Sequence, residues 1–153
     1  MIKVRVASRA QAAEDIVRLD LVCPEGRDLP PFDAGAHVDL FLGNGLTRQY
    51  SLCNDPADRG HYRIAVLREP TSRGGSTYVH EALTEGATLE ISAPRNLFAL
   101  DETAEEHLLF AGGVGVTPIL AMARRLHALG RPFAFHYCAR DRSRAAFLDE
   151  LAA

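Results

Sequence analysis

Up to residue 91 the apolar positions recur mostly at every second residue. Ile2, Val4 and Val6 do so, as do Val17, Leu19 and Leu21, then Val38, Leu40 and Leu42, then Tyr62, Ile64 and Val66, and finally Leu89 and Ile91. A strand turns successive side chains to opposite faces, so a period of two predicts antiparallel strands with one buried face each. Turn-forming clusters separate these runs: Pro24-Glu25-Gly26, Pro30-Pro31, Gly43-Asn44-Gly45, Asn54-Asp55-Pro56 and Asp58-Arg59-Gly60. Asn44-Gly45 is the strongest hairpin signal, because both residues tolerate the positive φ that a tight hairpin turn requires. Several short strands with regular turns over roughly 100 residues predict a small barrel or sandwich. One short helix interrupts them, with Ser76 as its cap, Val79, Ala82 and Leu83 facing inward, and Gly86 as its stop.

Beyond Thr103 the period changes. His107-Leu108-Leu109-Phe110-Ala111 is a continuous apolar run, the pattern of a parallel strand covered on both faces. It runs through Gly112-Gly113-Val114-Gly115-Val116 into a helix, with Thr117 predicted as N-cap and Pro118 in the first helical position. Ile119, Met122, Ala123 and Leu126 form its buried stripe, and Gly130 closes it. A second apolar strand, Phe133 to Cys138, and a second helix, Ser143 to Leu151 with Phe147, Leu148 and Leu151 inward, complete a β-α-β-α run. That run is the opening of a doubly wound nucleotide-binding sheet.

Composition narrows the function classes. The 153 residues carry a net charge of −3, so the chain as a whole offers no footprint for nucleic acid or an anionic membrane. Met1 leads directly into strand alternation, and the apolar runs are short, so neither a leader peptide nor a membrane span is expected. Cys23, Cys53 and Cys138 stand far apart and are odd in number, which argues for reduced thiols and a cytoplasmic setting. The six histidines include no pair at i, i+2 or i, i+4, so no metal site is expected.

Three segments carry candidate chemistry. In Arg48-Gln49-Tyr50-Ser51, the arginine offers a fork for phosphate, the tyrosine a face for a flat heterocycle, and the serine a hydroxyl for a ring nitrogen. On spacing alone the same residues also fit a solvated and a packed position of an ordinary strand. In Arg73-Gly74-Gly75-Ser76, two glycines let backbone N–H groups turn towards an anion at a helix start, though the same turn also serves as a plain cap. The loop from Gly112 to Pro118 sits between strand and helix, where dinucleotide-binding turns lie. It departs from the G-x-G-x-x-G fingerprint because Pro118 takes the third glycine position.

Taken in order, R-Q-Y-S-L-C-N, R-G-G-S, A-P-R-N-L-F (Ala93 to Phe98) and F-A-G-G-V-G-V-T-P-I (Phe110 to Ile119) resemble the ferredoxin-NADP reductase superfamily. The details are most similar to the phthalate dioxygenase reductase and vanillate demethylase reductase branch. The resemblance implies an all-β flavin-binding antiparallel barrel over residues 1–102. It implies the truncated first half of an α/β nicotinamide-binding domain over residues 103–153. By resemblance the flavin is FMN, with FAD the alternative, and NADH or NADPH is the electron donor. The implied activity is that of an NAD(P)H-dependent flavin oxidoreductase. Its acceptor would be an iron–sulfur partner, either a ferredoxin domain or a Rieske-type oxygenase component.

Carried over by position, Arg48 would bind the flavin phosphate region, Tyr50 would stack on the ring, Ser51 would stand near N5, and Gln49 would be a further cofactor-binding residue. Val66, Leu67 and Arg68 would offer backbone to the ring, with Arg68 near the phosphate, and Gly74, Gly75 and Ser76 would hold the phosphate. Gly113, Val114, Gly115 and Thr117 would line the nicotinamide side, with Arg140 and Asp141 near a ribose. The family's later strands and the C-x₄-C-x₂-C spacing of a plant-type [2Fe–2S] domain do not occur in this sequence. The chain is therefore expected to be part of a longer reductase, poorly active alone and open to dimerisation through exposed strand edges. A free-standing flavin reductase and a non-catalytic flavin-binding domain are the alternatives.

Overall fold

The computed structural model describes residues 1–152. Its first part is a single six-stranded antiparallel sheet: β1 (Ile2–Ala13), β2 (Ile16–Val22), β3 (His37–Phe41), β4 (Thr47–Ser51), β5 (Tyr62–Leu67) and β6 (Thr88–Ile91). The strand order is β4-β3-β6-β1-β2-β5. The alternating residues face one core, in which Val4, Val6, Leu19, Leu21, Val38, Leu40, Ile64 and Ile91 are all buried. Each such side chain contributes roughly 1.5–3 kcal/mol by leaving water, so the period-two pattern is what closes the sheet around itself.

Between β5 and β6 lies α1 (Gly75–Ala82). Its cap is Gly74 in a left-handed conformation (φ 100), not Ser76, whose hydroxyl instead accepts the Glu69 N–H at 3.0 Å. Val79 and Leu83 face the core as expected, but Ala82 is exposed. The helix's last carbonyls are satisfied by Arg9 of β1, which donates to Val79, His80 and Leu83. A cationic side chain on a helix C-terminus also complements its dipole.

The second part pairs β7 (His107–Gly112) with β8 (Phe133–Cys138) in parallel, joined through a 3₁₀ turn (Gly113–Gly115) and α2 (Val116–Ala128). Two sequence expectations need correction here. Only one face of β7 is covered, since Leu108 is 67% and Phe110 65% exposed, and Phe110 stacks on His136 rather than under a further layer. The cap of α2 is Gly115, and Thr117 lies inside the first turn with its hydroxyl bonded to the Val114 carbonyl.

A third correction concerns the expected helix from Ser143 to Leu151. Arg142–Arg144 forms a 3₁₀ turn, and Phe147 adopts a left-handed φ of 63 before α3 (Leu148–Ala152) begins. Tertiary bonds override the local helix pattern. Ser143 takes the Glu14 N–H on its carbonyl and Arg144 pairs with the Glu14 carboxylate, which pins the segment along the β1–β2 turn.

A second hydrophobic cluster joins the two parts. Ile16, Ala34, Cys53 and Ala65 of the barrel pack with Leu109, Ile119, Met122, Leu126, Ala146 and Phe147. Charged groups fasten the same junction: Arg63 of β5 holds Asp20 through two bonds at 2.7 and 3.1 Å and faces Glu150 of α3, which also pairs with Arg124 of α2. Among the described residues no helix is long and apolar enough to cross a membrane.

Candidate functional site

The barrel leaves one seam open. β4 and β5 are the two ends of the strand order, and just past the end of β4 the Cys53 N–H still donates to the Arg63 carbonyl at 2.9 Å. Continuing that antiparallel register would set Ser51 opposite Ala65 and Gln49 opposite Leu67. Those rungs are not made, and the strands splay into a wedge. All four residues line a cleft of about 550 Å³. A strand edge in such a wedge presents backbone donors and acceptors without protein partners, which a bound molecule can use.

One end of the cleft suits an anion. Gly74 receives no side-chain cap, and the N–H groups of the first turn of α1 point outward, as at any helix start. The Arg48 side chain lies across this turn. A Cβ placed on Gly75 would stand 2.5 Å from Arg48 Nε and 2.8 Å from its Cγ, so glycine is required for the arginine to lie there. Asn44 donates to the Gly74 carbonyl and Ser72 accepts the Gly74 N–H, which fix the turn. The loop residues Thr71, Ser72 and Arg73, together with Ser76, complete this end.

The middle of the cleft suits a flat ring. Tyr50 shares a face of the β3–β4 ladder with Val38 and packs half-buried against the barrel core. Burial pushes its phenol up, against the opposing effect of the Arg48 charge, so the ring stays neutral. Ser51 is half-buried beside it. The far wall comes from the second part: Val114, Gly115, Thr117 and Pro118.

Of the residues singled out from the sequence, Arg48, Gln49, Tyr50, Ser51, Leu67, Ser76, Val114, Gly115 and Thr117 converge on this one cleft. Gly75 lies beneath Arg48, and Gly74 beside it faces Leu46 and Asn44. The Val66 side chain points into the barrel core instead. Arg68, Gly113 and Arg140 line an adjoining cleft, also about 550 Å³, which shares Leu67, Glu69 and Val114 with the first. Arg68 donates to Glu81 of α1 at 2.7 Å. Asp141 lines neither, and the Ser143 hydroxyl bonded to it holds its carboxyl below the usual range. Cys53, next to the cleft motif, is fully buried, and burial pushes its thiol up to about 12, so it stays protonated and unreactive at neutral pH.

Sequence reasoning missed Ala65, Glu69, Thr71 and Ser72, and left Arg73 and Pro118 without a binding role. Ala65 had a signal: it is the small residue between two core-facing branched ones, on the face that Ser51 would pair with.

An antiparallel barrel with an open seam, followed by a parallel strand pair and a glycine turn facing that seam, is a ferredoxin-NADP reductase-like fold. The solved structure of phthalate dioxygenase reductase superposes with a TM-score of 0.96 at 45% identity, covering 99% of this chain and 48% of that one. That protein is a modular structure for electron transfer from pyridine nucleotides to [2Fe–2S]. Over nearly its whole length the chain is similar to oxygenase reductases. It is 53% identical over 151 residues to a vanillate O-demethylase oxidoreductase of Pseudomonas sp., covering 99% of this chain and 48% of that protein. It is 46% identical to the phthalate dioxygenase reductase of Burkholderia cepacia, covering 98% and 47%. The chain thus spans about half the length of the curated relatives it matches. No protein-family model matches it.

Proposed function

We propose that the chain is the flavin-binding part, with the start of the nicotinamide-binding part, of an NAD(P)H-dependent oxygenase reductase. The proposed flavin is FMN, and the proposed acceptor is an iron–sulfur partner. The domains would be residues 1–102 and 103–153. One observation carries the reading. A phosphate-suited helix start under Arg48, a ring-suited wall of Tyr50 and Ser51, and a second wall from Val114 to Pro118 meet in a single cleft.

The residues fit the group. FMN has a flat ring, a short polyol chain and one terminal phosphate, and the cleft runs from the β4–β5 wedge beside Tyr50 to a helix start overlain by Arg48. Arg48 and the first N–H groups of α1 would hold the phosphate. Tyr50 would cover one face of the ring, and the unpaired β4 and β5 backbone would bond its polar edge. Leu67 and Val114 would wall off water from the reacting side. When bound, the flavin supplies the exchange between a two-electron donor and a one-electron acceptor, and the protein supplies position and tuning. The adjoining cleft, with Arg68, Gly113 and Arg140, would admit the pyridine nucleotide. The exposed edges of the β7–β8 sheet are proposed to pair with a second copy of the chain, a step that concentration-dependent sedimentation measures.

Reconstitution is the test. The purified chain should take up about one equivalent of FMN and quench its fluorescence, with FMN preferred over FAD in competition, since the phosphate end is built for one terminal anion. Preference for FAD would overturn the FMN assignment. Binding of neither flavin would overturn the reading as a whole.

A further inference from the structure

The anion end of the cleft is assembled from two elements that lie far apart in the chain. Arg48 comes from the β3–β4 hairpin, whereas the N–H groups of Gly75, Ser76 and Thr77 come from the start of α1. Helical bonding begins at the Tyr78 N–H, which donates to the Gly74 carbonyl at 3.1 Å, so those three donors precede it. A phosphate reaches both sets at once only when the hairpin stands in a fixed place against the helix.

The hairpin tip supplies that register. The Leu42 N–H donates to the Leu46 carbonyl at 2.8 Å, which leaves Gly43-Asn44-Gly45 as a three-residue tip. Asn44 stiffens the tip by accepting the Leu46 N–H, and its amide donates to the Gly74 carbonyl at 3.2 Å. That carbonyl therefore takes the first helical bond and the hairpin's bond together. A second contact lies one turn further along α1. The Tyr78 hydroxyl reaches so near Gly43 that a Cβ there would stand 2.3 Å from it and 3.2 Å from the ring's Cζ. Tyr78 is three residues beyond Gly75 and so lies on the same side of the helix, the side that Arg48 crosses. Ser76, which lines the cleft, is turned about 100° away from Gly75. The Tyr78 ring itself packs half-buried against the barrel core.

We propose that Tyr78, seated on Gly43, is a positioning residue for the terminal phosphate of the flavin. With the Asn44 bond it clasps the hairpin to α1 and so holds Arg48 over the helix start before any ligand arrives. The inference rests on the flavin reading above and goes beyond it, since Tyr78, Gly43 and Asn44 do not line the cleft. A guanidinium already in place loses little freedom when the anion binds, and binding tightens accordingly. The clasp acts on the phosphate end alone. Tyr50 and Ser51, which face the ring, stand further along β4 from the tip and do not depend on where the tip meets α1.

Riboflavin has the ring and polyol of FMN without the phosphate, so it separates positioning from plain support. In fluorescence titrations of the purified chain, Gly43→Ala should bind FMN about tenfold more weakly, the size of a partly lost charge-assisted contact. Riboflavin affinity should stay within about twofold of the wild type, because no phosphate contact is at stake. Added salt should weaken FMN binding less in Gly43→Ala than in the wild type, since less charge attraction remains to be screened. Removing the clashing oxygen as well, in Gly43→Ala/Tyr78→Phe, should recover most of the lost FMN affinity. Asn44→Ala leaves Gly43 and Tyr78 in contact and should show the same selective loss, which keeps the test decisive if Gly43→Ala does not fold. Equal losses for FMN and riboflavin would make the clasp a structural support only and overturn the proposal. Unchanged FMN affinity in both variants, or no recovery in the double variant, would overturn it too. Failure of the wild-type chain to bind either FMN or riboflavin would overturn the flavin reading and the clasp with it.

Discussion

Aspartate at position 75 is expected to weaken FMN binding by about 10²- to 10³-fold while leaving the fold as stable as before. The side chain would begin 2.5 Å from Arg48 Nε, so the guanidinium has to move off the helix start. The new carboxylate would then hold that guanidinium as its own ion partner. A charge-assisted hydrogen bond contributes about 1.5–3 kcal/mol, and an anion placed where a phosphate binds adds repulsion. A total near 3–4 kcal/mol corresponds to the stated loss of affinity. The helix itself should not suffer. Gly75 has an ordinary helical φ, the left-handed residue being Gly74, and an acidic side chain in a first turn stabilises a helix by about 0.3–1 kcal/mol. Fluorescence titration alongside thermal melting checks both halves of this result. Undiminished FMN affinity in Gly75→Asp would place the phosphate elsewhere.

The largest expected change in stability comes from Gly35→Ala. Gly35 has φ 98, and a Cβ there would stand 1.9 Å from the Phe98 carbonyl oxygen and 3.1 Å from Met122 Cε. Three segments meet at this point: the turn into β3, the loop after β6, and α2. The Phe98 loop cannot retreat freely, because Asn96 donates to the Ala34 carbonyl and Arg95 pairs backbone to backbone with His37. A left-handed alanine costs about 1–3 kcal/mol and forced overpacking a further 1–3. Roughly 2–6 kcal/mol in all is a large share of the 5–15 kcal/mol typical of a domain. Gly26→Ala is the control, since Gly26 also has a positive φ (73) but nothing within 4 Å of its would-be Cβ. Urea unfolding should show a much lower midpoint for Gly35→Ala than for Gly26→Ala, at similar slope. Equal midpoints would mean that the loop yields easily.

Five of the six barrel strands were legible because alternation is the direct imprint of a one-faced core. β4 was not legible that way. Its residues, Thr47-Arg48-Gln49-Tyr50-Ser51, contain no apolar alternation, since this strand borders the cleft, and only their chemistry drew notice. The two hydroxyls taken as helix caps illustrate a general limit. Ser76 and Thr117 have the right local chemistry, but Ser76 is spent on the distant Glu69 N–H and Thr117 on the Val114 carbonyl. The junction between the two parts was hidden because Ala34, Cys53 and Ala65 are small and give no periodic signal, although they carry the shared core.

A sheet that stops two rungs short of closing leaves its last structural member to be supplied from outside. Whatever fills the wedge between Ser51 and Ala65 acts as a keystone, completing the wall as well as occupying it. Labour is thereby divided between two sets of residues. A change at Val38 or Ile64 strains the whole barrel, because those side chains are fully buried in its core. A change at Gln49, Leu67 or Thr71 alters only the keystone's seat. Descendants of such a barrel can trade one guest for another, or retune how the guest is held, without rebuilding the vault around it.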